Sequence, residues 1–270
     1  MRKLTNKQIE EVCVKYKQGI SCPNISKIYN VDPHSIWGLL KRRDVPMRSQ
    51  QEAQRKHFFN EQSFDIITEE SAYWIGFLMA DGCIITHNTT PEVSLCLHNK
   101  DKEHLYKFRS FLESTHSITQ VNKDVVKFSI KSKKLADSLM QYGIIPRKSH
   151  IAKVSNDLIL NKSFWRGVID GDGSIGEYKS GIMLRLYGSI SLLEQFLVFI
   201  KTHEPSCNVT VRPHKTIYII SLNGKYAINM IGLLYNECSI ALSRKLNAAM
   251  IISNRGRGKL NYPYATSISA

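Results

Sequence analysis

The chain lacks the features that mark membrane and secreted proteins. No apolar run approaches the roughly 18 residues of a transmembrane helix. Its first residues, Met1-Arg2-Lys3, lead into a charged segment and not into an apolar signal sequence. Six cysteines are present, but none forms a CxxC pair or a zinc-ligand spacing with histidine. We expect a soluble intracellular protein with no membrane partner, in the cytoplasm of a bacterium or phage-infected cell or in an organelle.

Acidic residues are few relative to basic ones. The chain has 37 Lys and Arg against 23 Asp and Glu, a formal net charge of +14. The excess is uneven, because residues 1–60 hold 12 basic and 5 acidic side chains, a net of +7. A clustered positive charge favours a polyanionic partner over mere solubility, and nucleic acid is the commonest one.

The first 46 residues carry the pattern of three short helices. Thr5, Ser21 and Asp32 are suited to cap them, and Pro33 suits the first position of the third helix. Apolar spacing predicts these inward side chains: Ile9, Val12, Cys13, Tyr16, Ile25, Ile28, Ile36, Leu39 and Leu40. The segment resembles the helix-turn-helix of resolvases and invertases, and we expect that domain over residues 1–46.

The third predicted helix turns a polar face outward. Its cationic, flat and hydrogen-bonding groups suit a DNA major groove: His34, Ser35, Trp37, Lys41 and Arg42. A small protein-interaction module is the alternative, because trihelical units are common. Residues 47–64 are polar and basic, and we expect a linker in which Arg48 contacts a phosphate backbone or a minor groove.

Two segments of the remaining chain are nearly the same. Residues 74–82 read WIGFLMADG and residues 165–173 read WRGVIDGDG, 91 positions apart. Similar elements follow each copy, which indicates an internal duplication. Strands are predicted at 83–87, 92–98, 125–131, 174–178, 182–187, 209–212 and 216–221, and helices at 133–142, 225–235, 242–252 and beginning at 101 and 189.

This order predicts an α+β fold of two α-β-β-α-β-β-α halves, residues 65–160 and 161–253, related by pseudo-two-fold symmetry. A basic polar tail, 254–270, follows. Helices would cover one face of each antiparallel sheet, and the open faces would form a β-saddle over DNA. The residues expected to contact DNA there are Ser94, His98, Lys127, Lys131, Arg185, Tyr187 and Arg212. A polar sheet face is ordinarily only solvated, which is the simpler alternative.

The repeated segments favour two touching helices that end in carboxylates. Small residues recur four apart, Gly76 with Ala80 in one copy and a glycine pair in the other, which lets helix backbones approach closely. Asp81 and Asp172 fall in the last turns of the two helices. A negative charge there interacts unfavourably with the helix dipole and lowers stability by roughly 0.3–1 kcal/mol. Paired there, the acids would repel each other unless a cation lies between them, and oxygen ligands are those that Mg²⁺ prefers.

Both segments resemble the LAGLIDADG motif of homing endonucleases, in the form with two motifs in one chain. The resemblance implies a monomeric, site-specific enzyme that hydrolyses phosphodiesters to break both strands of a long DNA target. It implies that Asp81 and Asp172 hold Mg²⁺ or Mn²⁺, and that basic residues at the positions of Lys148 and Lys245 assist catalysis. Tryptophan at the first motif position and Arg166 at the second of the later copy depart from the pattern. Asp170, the sixth residue of that copy, is expected to be structural or solvated.

Other functions remain compatible with the sequence. A non-catalytic nucleic-acid binder of the same fold, either an RNA-splicing maturase that binds intron RNA or a transcription regulator, would share these residues. A protein-interaction module would show no salt-dependent DNA affinity. Residues 171–176 satisfy the dinucleotide pattern GxGxxG but follow a predicted helix and open none, which argues against a Rossmann fold.

Overall fold

The computed structural model describes residues 4–47, 57–87, 89–179 and 181–255. The chain divides into two compact units between Phe58 and Phe59. The predicted contact residue Arg48 and positions 256–270 of the expected tail lie outside the described residues. Within the described ranges, no helix is long and apolar enough to cross a membrane.

The first unit contains three helices, α1 (Asn6–Lys17), α2 (Cys22–Tyr29) and α3 (Pro33–Arg42). Their N-terminal caps are the predicted ones: the side chains of Thr5, Ser21 and Asp32 each accept a backbone N–H of the following turn. The unit has its own hydrophobic core, which comprises Val12, Tyr16, Ile25, Ile36, Leu39, Leu40 and Val45.

One predicted core residue of the first unit is wrong. Ile28 is 57% exposed. The inner face of α2 instead contains Ile25, Ser26 and Tyr29. Ser26 can be buried there because its hydroxyl donates to the Pro23 carbonyl at 2.8 Å and so keeps a hydrogen bond.

The second unit begins with one α-β-β-α-β-β-α half. Its elements are α4 (Glu69–Asp81), β1 (Gly82–Ile85), β2 (Glu92–His98), α5 (Lys102–Phe111), β3 (Thr119–Gln120), β4 (Val125–Lys131) and α6 (Lys133–Gln141). The strands form an antiparallel sheet in the order β1-β2-β4-β3.

The second half repeats this order and adds a helix. Its elements are α7 (Lys162–Asp172), β5 (Gly173–Tyr178), β6 (Gly181–Gly188), α8 (Ile190–His203), β7 (Arg212–His214), β8 (Ile217–Asn223), α9 (Gly224–Tyr235) and α10 (Ser243–Arg255). The sheet order β5-β6-β8-β7 matches that of the first half. The predicted duplicated α+β fold is confirmed, although the strand expected at 209–212 lies at 212–214.

The two motif helices, α4 and α7, touch through their glycines. A Cβ atom on Gly76 would lie 2.0 Å from the backbone carbonyl oxygen of Phe164, and one on Gly167 would lie 2.1 Å from the backbone carbonyl oxygen of Tyr73. No side chain fits at those distances, so glycine is required at both positions. This contact joins the halves into one core, and it places the C-terminal ends of both helices side by side.

Candidate metal and nucleic-acid site

The last residues of the touching helices are the two predicted acids. Asp81 ends α4 and Asp172 ends α7. A Cβ on Gly171 would meet the Ala80 Cβ at 2.3 Å and Oδ2 of Asp81 at 3.3 Å, so the Asp81 carboxylate lies directly against the other motif helix. The structure therefore brings together the residues that the repeated sequence predicts.

Both carboxylates resist ionisation. Each reaches solvent but is crowded by protein on its other sides, and this desolvation is the main cause of the raised pKa of both. Repulsion from Asp81 adds to it at Asp172, whose pKa rises to about 6. The nearby lysine charges act in the opposite direction. Two crowded carboxylates that repel each other are stabilised by a cation.

The donor set fits an oxygen-loving divalent ion only in part. Among the described residues, no group of three or more His, Cys, Asp or Glu side chains could hold a metal. A bound Mg²⁺ or Mn²⁺ would therefore have only Asp81 and Asp172 as side-chain ligands and would take further oxygens from water, backbone or a substrate phosphate. Mg²⁺ is commonly bound in this way, through one or two carboxylates and substrate oxygens.

Two buried lysines lie beneath the acids. Lys245, in the first turn of α10, donates to the carbonyls of Asp170 at 2.8 Å and Gly173 at 2.6 Å, and also to that of Ile169. Ile169 and Asp170 lie in the last turn of α7 and Gly173 follows it, so the ammonium binds carbonyls where the helix ends. Burial lowers the pKa of Lys245 to about 8, and neighbouring carboxylates oppose the shift.

Lys148 occupies the comparable place in the first half. It lies in a short 3-10 helix, Lys148–His150, and its Nζ donates to the carbonyl of Gly82 just after α4. Burial lowers its pKa, and the Asp172 carboxylate is the main opposing charge. The charges of both lysines act on the Asp81 and Asp172 carboxylates, and the catalytic role of the lysines stays a prediction.

A buried polar network behind the site was not predicted. Asp170 is fully buried and accepts hydrogen bonds from the hydroxyls of Tyr73 at 2.7 Å and Tyr235 at 2.6 Å, and from the backbone N–H of Leu242 at 2.7 Å. Desolvation raises its pKa, which these donors and Lys245 counteract. Asp170 is therefore structural, and it fixes the segment that leads to Lys245.

Arg166 is a residue whose role sequence reasoning missed. It is completely buried, and its guanidinium donates to the carbonyls of Ile240 and Leu234 at 2.8 and 3.0 Å and to the Glu69 carboxylate at 2.9 Å. It ties α4, α7 and the chain after α9 together. The available signal was an arginine at a position where the LAGLIDADG motif has alanine.

The predicted contact residues of the two sheets differ in accessibility. His98, Lys131 and Arg212 are exposed, and Lys127, Arg185 and Tyr187 are half-buried. The prediction that Ser94 contacts DNA is wrong. Ser94 faces the open side of the sheet but is only 5% exposed, because its side chain is short and lies between two neighbouring strands. It is unsuited to contact DNA directly.

The first unit presents its predicted face. On α3, His34, Trp37, Lys41 and Arg42 are exposed and Ser35 is half-buried. The Lys41 ammonium lies 4.5 Å from the centre of the Trp37 ring, a cation–π distance. DNA recognition by this face stays a prediction.

Comparison with known proteins gave matches only among solved structures. No protein-family model and no curated protein matches the chain. The LAGLIDADG meganuclease I-AabMI bound to uncleaved DNA is similar over 70% of this chain and 90% of its own, with a TM-score of 0.48 and 12% identity. The I-SmaMI LAGLIDADG homing endonuclease bound to cleaved DNA is similar over 70% of this chain and 91% of its own, with a TM-score of 0.49 and 14% identity.

Proposed function

We propose that the chain is a site-specific DNA endonuclease of the LAGLIDADG type, which breaks both strands of a long target by metal-dependent phosphodiester hydrolysis. The observation that carries this proposal is the pairing of Asp81 with Asp172 at the ends of two touching, repeated helices. A carboxylate at a helix C-terminus costs stability, and two adjacent ones cost more. Function explains the arrangement better than folding does.

Asp81 and Asp172 would hold Mg²⁺ or Mn²⁺ against a scissile phosphate. When bound, such an ion neutralises phosphate charge and favours deprotonation of a water molecule. The residues of the chain would supply the rest: the carboxylates would hold the ion, and the two lysine charges would stabilise negative charge that develops on the phosphate.

The two lysines would act differently. An ammonium group has three donors, and all three of Lys245 face backbone carbonyls, so this side chain acts as a fixed positive charge. Lys148 faces one backbone carbonyl, which leaves it capacity to bind a phosphate oxygen or a water molecule. A lysine in each half supports one hydrolytic centre per strand.

Duplex DNA is the proposed partner, bound by the open faces of the two sheets. Exposed or half-buried basic side chains line both faces, and one chain supplies both motif copies, which supports action as a monomer. The α3 face of the first unit would bind a further stretch of the target as a helix-turn-helix.

A library of long random duplexes, incubated with the chain in Mg²⁺ or in a chelator, tests this function. We expect cuts only with Mg²⁺, at one recurrent long sequence. Salt-sensitive binding without cuts would instead favour a transcription regulator, or a maturase if structured intron RNA binds more tightly than DNA. Absence of any salt-dependent DNA binding would overturn the proposal.

A further inference from the structure

Arg185 and Ser94 occupy matched positions in the two halves. In the first sheet, Ser94 on β2 pairs with Cys83 on β1 and with Ser129 on β4. In the second sheet, Arg185 on β6 pairs with serines on the corresponding strands. Both positions lie on the open faces, one residue before the leucine that pairs with the glycine after each motif helix. The duplication has therefore placed a long cation in one half and a short hydroxyl in the other.

The guanidinium of Arg185 is held in place without an acidic partner. It lies 4.7 Å from the centre of the Tyr178 ring, and its Nη2 is 2.8 Å from Sδ of Met183. No carboxylate of the described residues forms an ion pair with it. By contrast, the Lys127 ammonium of the first sheet is paired with the Glu92 carboxylate at 2.7 Å. The planar donors of Arg185 thus remain available for a ligand.

The surroundings of Arg185 favour a base edge over a phosphate. Its strand is an inner one of the sheet, and the paired residues Ser174 and Ser221 are too short to cover it. Beside it on the same face lie uncharged groups, Met183, Tyr187 and Ile219. The next cation on this face, Arg212, pairs with Ile219 from the edge strand β7. An exposed cation at the sheet edge is placed to contact phosphate, whereas the inner position of Arg185 suits a base edge.

We propose that Arg185 recognises one guanine in the half of the DNA target bound by the second sheet, and that the matched base pair at Ser94 is not read directly. Arginine pairs with guanine O6 and N7 through two parallel N–H donors, the commonest specific contact in a major groove. Tyr178 is the positioning residue that holds the guanidinium plane. This inference rests on the proposed function, because it requires duplex DNA on the open sheet face.

A binding selection tests the inference separately from catalysis. Long random duplexes are sorted by binding to the Asp172→Asn chain, alone and with Arg185→Ser or Arg185→Gln added. We expect Arg185→Ser, which copies the residue of the first half, to lower the preference for guanine at one position roughly ten- to hundredfold and to leave other positions unchanged. Arg185→Gln should shift that position towards adenine.

Other outcomes overturn the inference. Unchanged base preferences, or equal weakening at all sequences, would make Arg185 a non-contact or a phosphate contact. Lys131→Ser, at an exposed strand end, is the control for equal weakening. If the selected sequence is bound but never cut by the natural chain with Mg²⁺, the proposed enzyme fails while guanine recognition stands. If no duplex is bound, both fail.

Two variants of Tyr178 test its positioning role. Tyr178→Phe keeps the ring beneath the guanidinium and should keep the guanine preference. Tyr178→Leu removes the cation–π contact and should weaken the preference at the same position only. Equal preferences in the two variants would contradict positioning by the ring.

Discussion

At the scale of single residues, the site of Asp81 and Asp172 depends on buried polar groups that do not reach the protein surface. Asp170 has no counterpart in the first motif copy, where Met79 stands at the sixth position. Its carboxylate accepts donors from both halves, since Tyr73 belongs to α4 and Tyr235 to α9. The lysine behind the second acid is therefore held by a network that the first half lacks.

Replacing Asp170 with Asn should destabilise the fold by about 2 kcal/mol, because hydrogen bonds to a buried charged acceptor are lost and an amide cannot accept three donors equally well. Tyr235→Phe removes one of those donors and should cost about 1 kcal/mol. Urea unfolding measures both. An Asp170→Asn chain as stable as the natural one would contradict the network.

His104 should give the protein a measurable acid sensitivity. It is 2% exposed, and burial lowers its pKa to about 3. Its Nε2 lies 2.9 Å from the Tyr73 hydroxyl. That hydroxyl donates to Asp170, so Nε2 carries the proton and Nδ1 is bare.

Below about pH 6.5 the unfolded chain binds a proton at His104 that the folded chain refuses, so stability falls as the pH falls. The free energy of unfolding relative to that of His104→Gln should decrease by up to about 1.4 kcal/mol per pH unit between pH 6 and 4. Urea unfolding at a series of pH values measures this difference. Parallel curves for the two chains would rule out a buried neutral His104.

At the scale of elements, the contact between α4 and α7 holds the two halves of the second unit together. Gly76→Ala should cost about 3 kcal/mol or more, because its Cβ would lie 2.0 Å from a backbone oxygen that moves only with its helix. Gly232→Ala, in α9, is the matched control, because nothing lies within 4 Å of the added Cβ. The higher helix propensity of alanine should raise the free energy of unfolding of this variant by up to about 1 kcal/mol. Thermal unfolding of both variants gives the comparison, and equal midpoints would refute the close approach.

The sequence predicted the elements whose signals are local. The caps at Thr5 and Asp32, the alternating strands 92–98 and 125–131, and the repeated motif are all visible along the chain. Strand β3 has two residues and β7 contains Pro213, so neither carries an alternating pattern.

Long-range contacts explain what the sequence could not give for the site. The repeat located the two acids, and the family resemblance located the two lysines. The roles of Arg166 and Asp170 depend on carbonyls, hydroxyls and a backbone N–H that lie 65 to 97 positions away. No local pattern reports such partners, and the burial of Ser94 likewise depends on the two strands beside it.

At the scale of the whole molecule, the two units have separate cores. A chain that begins at Phe59 should still unfold cooperatively, because no core residue of the second unit is removed. It should bind a shorter DNA footprint with a shallower dependence of affinity on salt, since half of the net positive charge lies in residues 1–60. Footprinting and salt titration measure this, and an unchanged footprint and slope would contradict DNA binding by the first unit.

We propose Asp81 and Asp172 as the centre of a metal-dependent nuclease. The most direct measurement compares binding and cleavage of one selected target by the natural chain, Asp172→Asn and Asp137→Asn, all with Mg²⁺. Asp137 is exposed on α6, so its variant carries the same change of charge away from the site. We predict that all three bind the target, that Asp137→Asn cuts it as the natural chain does, and that Asp172→Asn makes no double-strand break. Undiminished cleavage by Asp172→Asn would show that this acid is not part of a catalytic centre.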